Sequence, residues 1–374
     1  MKYVRMPIEI ESPEQMGYEN VKYNLTESSF ADAELGDLDL DLRKLVLCYG
    51  DHQGNRALRS LIASDCGVHP DEVLITAGAA SALFVIATTL LQAGDRILVE
   101  APNYATNIET PRAIGAEIDF LTLRFEEGFR PNLAQLAQKL HPRTKLVSLT
   151  VPHNPTGSML TESELRQIIE LCARHGVPLL VDETYREMAF AGPLPVAASL
   201  VAADAARPPV LSVSSMSKTW GLPGIRIGWL ICRDRKLMET LLAAKEQIFI
   251  CNSVVDEEIA LRFLQQKAQR APAIFARMKQ NFTVLSDWMH TQQDLEWVQP
   301  AGGVVCFPRF RSDCPVHIER FYRVLGDKYK TFVGPGHWFE MDRRYMRIGY
   351  GWPSTSDLRE GLAAISRAAE EARE

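Results

Sequence analysis

Between about residue 73 and residue 232 the chain alternates short β-rich runs with stretches of helical period, and few architectures accept that pattern. Val73-Leu74-Ile75-Thr76, Ile97-Leu98-Val99, Ile118-Asp119-Phe120-Leu121, Lys145-Leu146-Val147-Ser148-Leu149, Val177 to Val181 and Val210 to Val213 read as strands. Several are apolar at successive positions, which fits strands buried on both faces. Helices must then cover both sides of a largely parallel sheet. The helices between the strands are visible too: Thr161 and Glu164 form a capping box ahead of Leu165, Ile168, Ile169 and Cys172 at helical spacing. The expected class is α/β.

A chain of 374 residues exceeds what one core usually supports, so two cores are expected. Residues 46–250 form the large domain in this reading. Residues 251–374 form a smaller α+β domain, with long polar helices, a short apolar stretch at Val304 to Phe307 and a last amphipathic helix from Ser356. Residues 1–45 lack a strong period of their own and are expected to pack on the small domain or on a partner subunit. The formal net charge of -6 offers no broad positive field, which argues against nucleic acid and anionic membranes as partners. Met1 to Glu11 mixes charges among its apolar residues, unlike a secretory signal. The longest apolar helical stretch, Ala79 to Leu91, is too short to cross a bilayer and carries Ser81, Thr88 and Thr89. The seven cysteines are odd in number, and no two have the spacing of a zinc ribbon or redox motif. We therefore expect no metal, small buried thiols and a reducing cytoplasm.

In an open α/β sheet, ligands collect beyond the carboxyl ends of the strands, and the polar residues that stand out are there. Ile75-Thr76 runs into Gly78-Ala79-Ala80-Ser81 and a helix, which is either an anion seat or a plain turn. The strand ending at Leu149 is followed by Pro152-His153-Asn154-Pro155-Thr156-Gly157, in which His153 reads as a satisfied loop histidine. The strand ending at Val181 is followed by Asp182-Glu183-Thr184-Tyr185. A carboxylate at the end of an apolar strand needs a cationic partner. Val210 to Val213 leads into Ser214-Ser215-Met216-Ser217-Lys218, then a Gly/Pro-rich loop, then Arg226 ahead of another apolar strand. A desolvated lysine is a candidate imine former, and an arginine beside hydroxyls suits a phosphate.

Ser215 to Lys218 followed by Gly224-Ile225-Arg226-Ile227-Gly228 resembles the cofactor attachment motif of the class I/II aminotransferases, the fold type I pyridoxal-phosphate enzymes. Tyr49 with Gly54 and Leu58-Arg59, the Gly78 turn, Pro102-Asn103-Tyr104, Asn154-Pro155-Thr156-Gly157, Asp182 with Tyr185, and Arg347-Ile348-Gly349 follow the family's order. The resemblance implies that Lys218 carries pyridoxal 5'-phosphate as a Schiff base and shuttles the substrate proton, and that Asp182 keeps the pyridine nitrogen protonated. It implies that Tyr185 and Asn154 hydrogen-bond the phenolic oxygen and that Tyr104 stacks on the ring. The phosphate would lie among Gly78, Ala79, Ala80, Ser215, Ser217 and Arg226, with Tyr49 reaching in from the second subunit of a homodimer. Arg347 would grip the substrate α-carboxylate. Tyr49 as core, Ser217 as a turn cap and Tyr104 as packing are the plainer alternatives.

The sequence departs from the family near the N-terminus, where many relatives have a Gly-Glu-Pro-like turn and this chain has Asn24-Leu25-Thr26-Glu27-Ser28-Ser29. Glu27 is either a surface or helix-capping carboxylate or a residue that favours a basic or polar substrate side chain. Trp338 and Phe339, in the stretch before Arg347, either shape a substrate pocket or pack. The resemblance implies amino transfer between an L-amino acid and a 2-oxo acid. A carbon–sulfur lyase or cyclising synthase on the same residues is the alternative. A non-catalytic cofactor-binding regulator is disfavoured by the absence of a basic module before the domain and by intact Lys218 and Asp182.

Overall fold

Neighbouring residues of the central strands are buried in different cores. Leu146, Leu180 and Val99 belong to one apolar cluster, while Val147, Val181 and Leu98 belong to another on the opposite face. This is the period-two consequence of strands covered on both sides. The computed structural model describes residues 1–202 and 207–373. In chain order its strands are β1 (Tyr23–Leu25), β2 (Val73–Thr76), β3 (Arg96–Ala101), β4 (Glu117–Thr122), β5 (Thr144–Thr150), β6 (Leu179–Asp182), β7 (Val210–Ser215), β8 (Gly228–Cys232), β9 (Leu295–Glu296), β10 (Val305–Cys306), β11 (Arg309–Phe310), β12 (Thr331–Pro335) and β13 (Met346–Gly349).

The large sheet has seven strands in the order β2-β8-β7-β6-β5-β3-β4, and only β8 runs against its neighbours. All six strands expected from the sequence are present. Chain order reverses between β3 and β5, which opens a crevice at their carboxyl ends. The helices Gly78–Leu90 and Arg235–Glu246 cover one face through Leu83, Ile86, Met238 and Leu241. Helix Glu162–Arg174 covers the other through Leu165, Ile168 and Cys172. Its start is the expected capping box, with Thr161 N donating to Glu164 at 2.7 Å and Glu164 N donating to Thr161 Oγ1 at 3.2 Å. Each fully buried leucine in these clusters stabilises the fold by roughly 1.5–3 kcal/mol.

A second sheet, β1-β12-β13-β10, is packed by helices Lys267–Thr291 and Thr355–Glu371 around Leu25, Leu285, Ile348, Leu358 and Ile365. The N-terminal segment takes part in both layers, since β1 pairs parallel with β12 while Leu38 is buried among the large-domain residues Leu58 and Trp220. Helix Val254–Gln265 also packs there, through Ile259 and Phe263. We therefore propose a division nearer Gln266 than residue 250, because apolar contacts rather than sequence periodicity assign that helix. Among the described residues no helix is long and apolar enough to cross a membrane, and no cluster of three metal-ligating side chains occurs. All seven cysteines are free. Burial lifts the Cys66, Cys172 and Cys232 thiols to about 12. Cys48, by contrast, is exposed, so the small-buried-thiol reading fails there.

Candidate active site

The crevice holds a cavity of about 160 Å³ lined by Ala79, Ala80, Tyr104, Asn154, Asp182, Tyr185, Ser215, Ser217, Lys218 and Arg226, among others. At its floor, Asp182 ends β6 and is 5% exposed. Thr184 donates to Asp182 Oδ1 from its backbone N–H at 3.1 Å and from its hydroxyl at 2.6 Å. This is a local turn that an Asp-x-Thr sequence can signal. Burial raises the Asp182 carboxyl above its ordinary range, and the Thr184 bonds oppose that rise. Lys218 follows β7 and is half-buried. Burial pushes its ammonium below the usual lysine range, and Glu27 pulls it back up. Tyr185 is buried and its hydroxyl is held protonated well above the ordinary value. Asn154 Nδ2 donates to that hydroxyl at 3.4 Å.

One end of the cavity is built for an anion. Helix Gly78–Leu90 begins at Ala77 with no side-chain cap, so its first N–H groups are left to a ligand. A Cβ on Gly78 would fall 2.6 Å from Arg226 Nη2, and one on Gly228 would fall 2.6 Å from Ala79 N. Only glycines permit this approach of backbone and guanidinium. Arg226 itself has a left-handed backbone, φ 49°, which turns it back toward Gly78. Ser215 and Ser217 are buried beside it.

The other end is assembled from distant segments. Arg347, in β13 and 3% exposed, donates from Nη1 to Asn154 Oδ1 at 3.1 Å and from Nη2 to Thr26 O at 2.6 Å. Its Nε is buried without a partner, and its guanidinium lies 5.1 Å from the Phe339 ring centre. Burial lowers its pKa, and Tyr185 and Glu27 oppose the change. Glu27 is half-buried between β1 and Ser28 and feels both Lys218 and Arg347, while burial raises its carboxyl above the usual range. It begins no helix, so the helix-cap alternative does not apply.

Tyr49, expected to reach into a partner subunit's site, is 79% exposed and is absent from the lining of this chain's cavity. Trp338 is buried with Ile8, Phe129 and Phe339, and its indole N–H donates to Glu11 Oε2 at 2.7 Å, so it packs rather than lining the cavity. His153 is buried and bonded to Thr156 Oγ1 at 2.8 Å, and burial lowers its pKa to about 3. The sequence reading also passed over the support behind Asp182. Thr150 Oγ1 and Asn107 Nδ2 both donate to Asn103 Oδ1, at 3.0 and 3.2 Å, and Asn107 also bonds Asp182. Buried Glu100 accepts from Thr150 N at 2.7 Å.

A phosphorylated pyridine aldehyde fits these residues. The uncapped helix and Arg226 match its phosphate. The buried Asp182 lacks the cation that a ring N–H⁺ would supply, and Lys218 faces the same cavity. Known proteins agree. The family profile described as aminotransferase class I and II matches residues 31–365. Capreomycidine synthase of Streptomyces vinaceus is 30% identical over 89% of this chain and 83% of its own length. An arginine–pyruvate transaminase of Pseudomonas aeruginosa is 35% identical over 49% of this chain and 47% of its own. The crystal structure of a PLP-dependent aminotransferase from Streptococcus suis superposes with a TM-score of 0.90 at 26% identity, covering 100% of both chains. Fold, attachment motif and relatives agree, and the chain belongs to the class I and II aminotransferase family, with the fold type I architecture and pyridoxal 5'-phosphate as its cofactor.

Proposed function

We propose that this enzyme moves an amino group between an L-amino acid and a 2-oxo acid, as a homodimer, with Lys218 as the cofactor-bearing and proton-shuttling residue. The observation that carries the reading is a single cavity lined by Lys218, Asp182, Tyr185, Asn154 and Arg226, with Arg347 bonded to the lining residue Asn154. Bound pyridoxal phosphate supplies an aldehyde for amine capture and a protonated ring that accepts the electron pair left on the substrate α-carbon.

The chain's residues supply the rest. Asp182 offers a buried carboxyl whose charged form, disfavoured by burial, is stabilised by a cation at the ring nitrogen. Lys218, with its proton affinity lowered by burial, can take the α-proton and return it. Tyr185 keeps its proton and can donate to an oxygen on the ring. Arg347, held by Asn154 and Thr26, presents Nε and its remaining N–H groups to the α-carboxylate, which fixes the α-carbon bond that faces the ring. Exposed Tyr49, Leu47 and Val46 support a partner subunit covering that surface, with Tyr49 entering the partner's phosphate end.

The likeness to a transaminase named for arginine and pyruvate supports amino transfer, and the likeness to capreomycidine synthase supports a second reading, a cyclising synthase on the same residues. The two are separated by adding amino acids one at a time to the holoenzyme. Conversion of the visible cofactor band to the pyridoxamine form, with stoichiometric alanine on addition of pyruvate, is the expected result. A new product without amino transfer overturns it in favour of the synthase.

A further inference from the structure

Both cations at the substrate end already have assignments. Arg347 is bonded to Asn154 and Thr26 and is left to meet an α-carboxylate, and Lys218 is assigned to the cofactor. Carboxylates remain. Glu14 and Asp32 both lie close enough to act on Glu27, and Glu27 and Glu14 also act on Lys218 and Arg347. Asp32 is occupied, since it accepts from Trp352 Nε1 at 2.9 Å.

The backbone at Glu27 is clamped rather than loose. Buried Asn24 Oδ1 accepts from Thr26 N at 3.0 Å and from Thr26 Oγ1 at 2.7 Å. The Thr26 carbonyl accepts from Arg347, and a Cβ on Gly349 would fall 1.8 Å from Glu27 O, so β13 is pressed directly against this turn. Glu27 is therefore fixed one residue from the group that anchors Arg347. Its neutral donors are Asn24 Nδ2 at 3.5 Å, long for a hydrogen bond, and the Tyr18 hydroxyl. A half-buried carboxylate held by neutral donors, beside an arginine and a lysine that serve the α-carboxylate and the cofactor, can still take up a positive charge from the ligand.

We propose that the substrate is an L-amino acid with a cationic side chain, whose charge is received by Glu27 while Arg347 holds its α-carboxylate. This rests on the proposed function only for the carboxylate at Arg347. The test titrates the holoenzyme's visible spectrum with L-arginine and L-lysine against their uncharged isosteres L-citrulline and L-norleucine, in the parent and in Glu27→Gln. At least one cation half-saturates at a concentration on the order of 10- to 100-fold below its isostere in the parent. Glu27→Gln closes most of that gap by weakening the cation far more than the isostere. Equal binding of cation and isostere by the parent overturns the proposal whether or not the variant folds. Equal weakening of both by Glu27→Gln, or no response to either cation, also overturns it. Alanine formed from pyruvate is measured in parallel. Selective cation binding without alanine keeps the subsite and removes amino transfer, whereas alanine formed equally well from uncharged donors removes the subsite and keeps amino transfer.

Discussion

At the cofactor edge of the cleft, Asp182 and Ser215 end strands of the large sheet, and Lys218 follows three residues after β7. At the substrate edge, Arg347 reaches Asn154 across 193 residues of sequence and Thr26 across 321. The first edge is aimed by local backbone, because a parallel strand delivers its last residues to the crevice whatever the rest of the chain does. The second exists only when two sheets and an N-terminal strand have docked. A change at the cofactor edge should therefore damage chemistry, and a change at the substrate edge should damage recognition.

The largest effect tests the first half of that contrast. Lys218→Ala is expected to lower the rate of amino transfer by at least about 10³-fold, read as single-turnover conversion of the cofactor band, since it removes the proton shuttle. Asp182→Asn comes next. It should retain cofactor, by its absorbance after gel filtration, yet lose on the order of 10²- to 10³-fold in kcat as the charge facing the ring nitrogen disappears. At the other edge, Arg347→Ala should raise the half-saturating amino-acid concentration by roughly 10- to 100-fold, with a smaller effect on kcat. If Asp182→Asn acted mainly on KM and Arg347→Ala mainly on kcat, the division of labour would be wrong.

The smallest effect concerns the support of the cofactor edge. Burial lifts the Glu100 carboxyl to about 8, above its unfolded value. Its contribution to stability is then fully present below about pH 4.5 and is lost as pH rises toward about 8, because the unfolded chain releases the proton first. Glu100→Gln can still accept the Thr150 N–H. Melting curves across that window should show the variant gaining on the parent with rising pH, by on the order of a few kcal/mol at most. His153 acts in the opposite sense: its folded value of about 3 makes the stability it contributes above about pH 6.5 fall away as pH drops toward about 3.

The same contrast explains what the sequence made legible. The six strands, the capping box at Thr161 and the polar residues at the strand ends follow from short-range patterns, and the structure has all of them. Asp182 could be read as needing a cation, but not the bonds from Thr184 and Asn107 that hold it, although Asp-x-Thr carried a usable signal. Trp338 looked like a pocket residue because an aromatic before Arg347 has no local mark of which way it faces. Its contact with Glu11 spans 327 residues. The proposed shift of helix Val254–Gln265 to the large domain has a similar reason, since its period shows that it has an apolar face but not which sheet receives it. Glu27 could be singled out as an oddity, and only docking of β1 on β12 brings it near Arg347.

The most direct test of the account is chemical. Recombinant protein supplied with pyridoxal phosphate is treated with borohydride, digested and mapped by mass spectrometry. The account predicts a coloured protein that bleaches on reduction and one modified peptide, carrying the phosphopyridoxyl group on Lys218. A colourless protein, or a reduced adduct spread over other lysines with Lys218 unmodified, would contradict it.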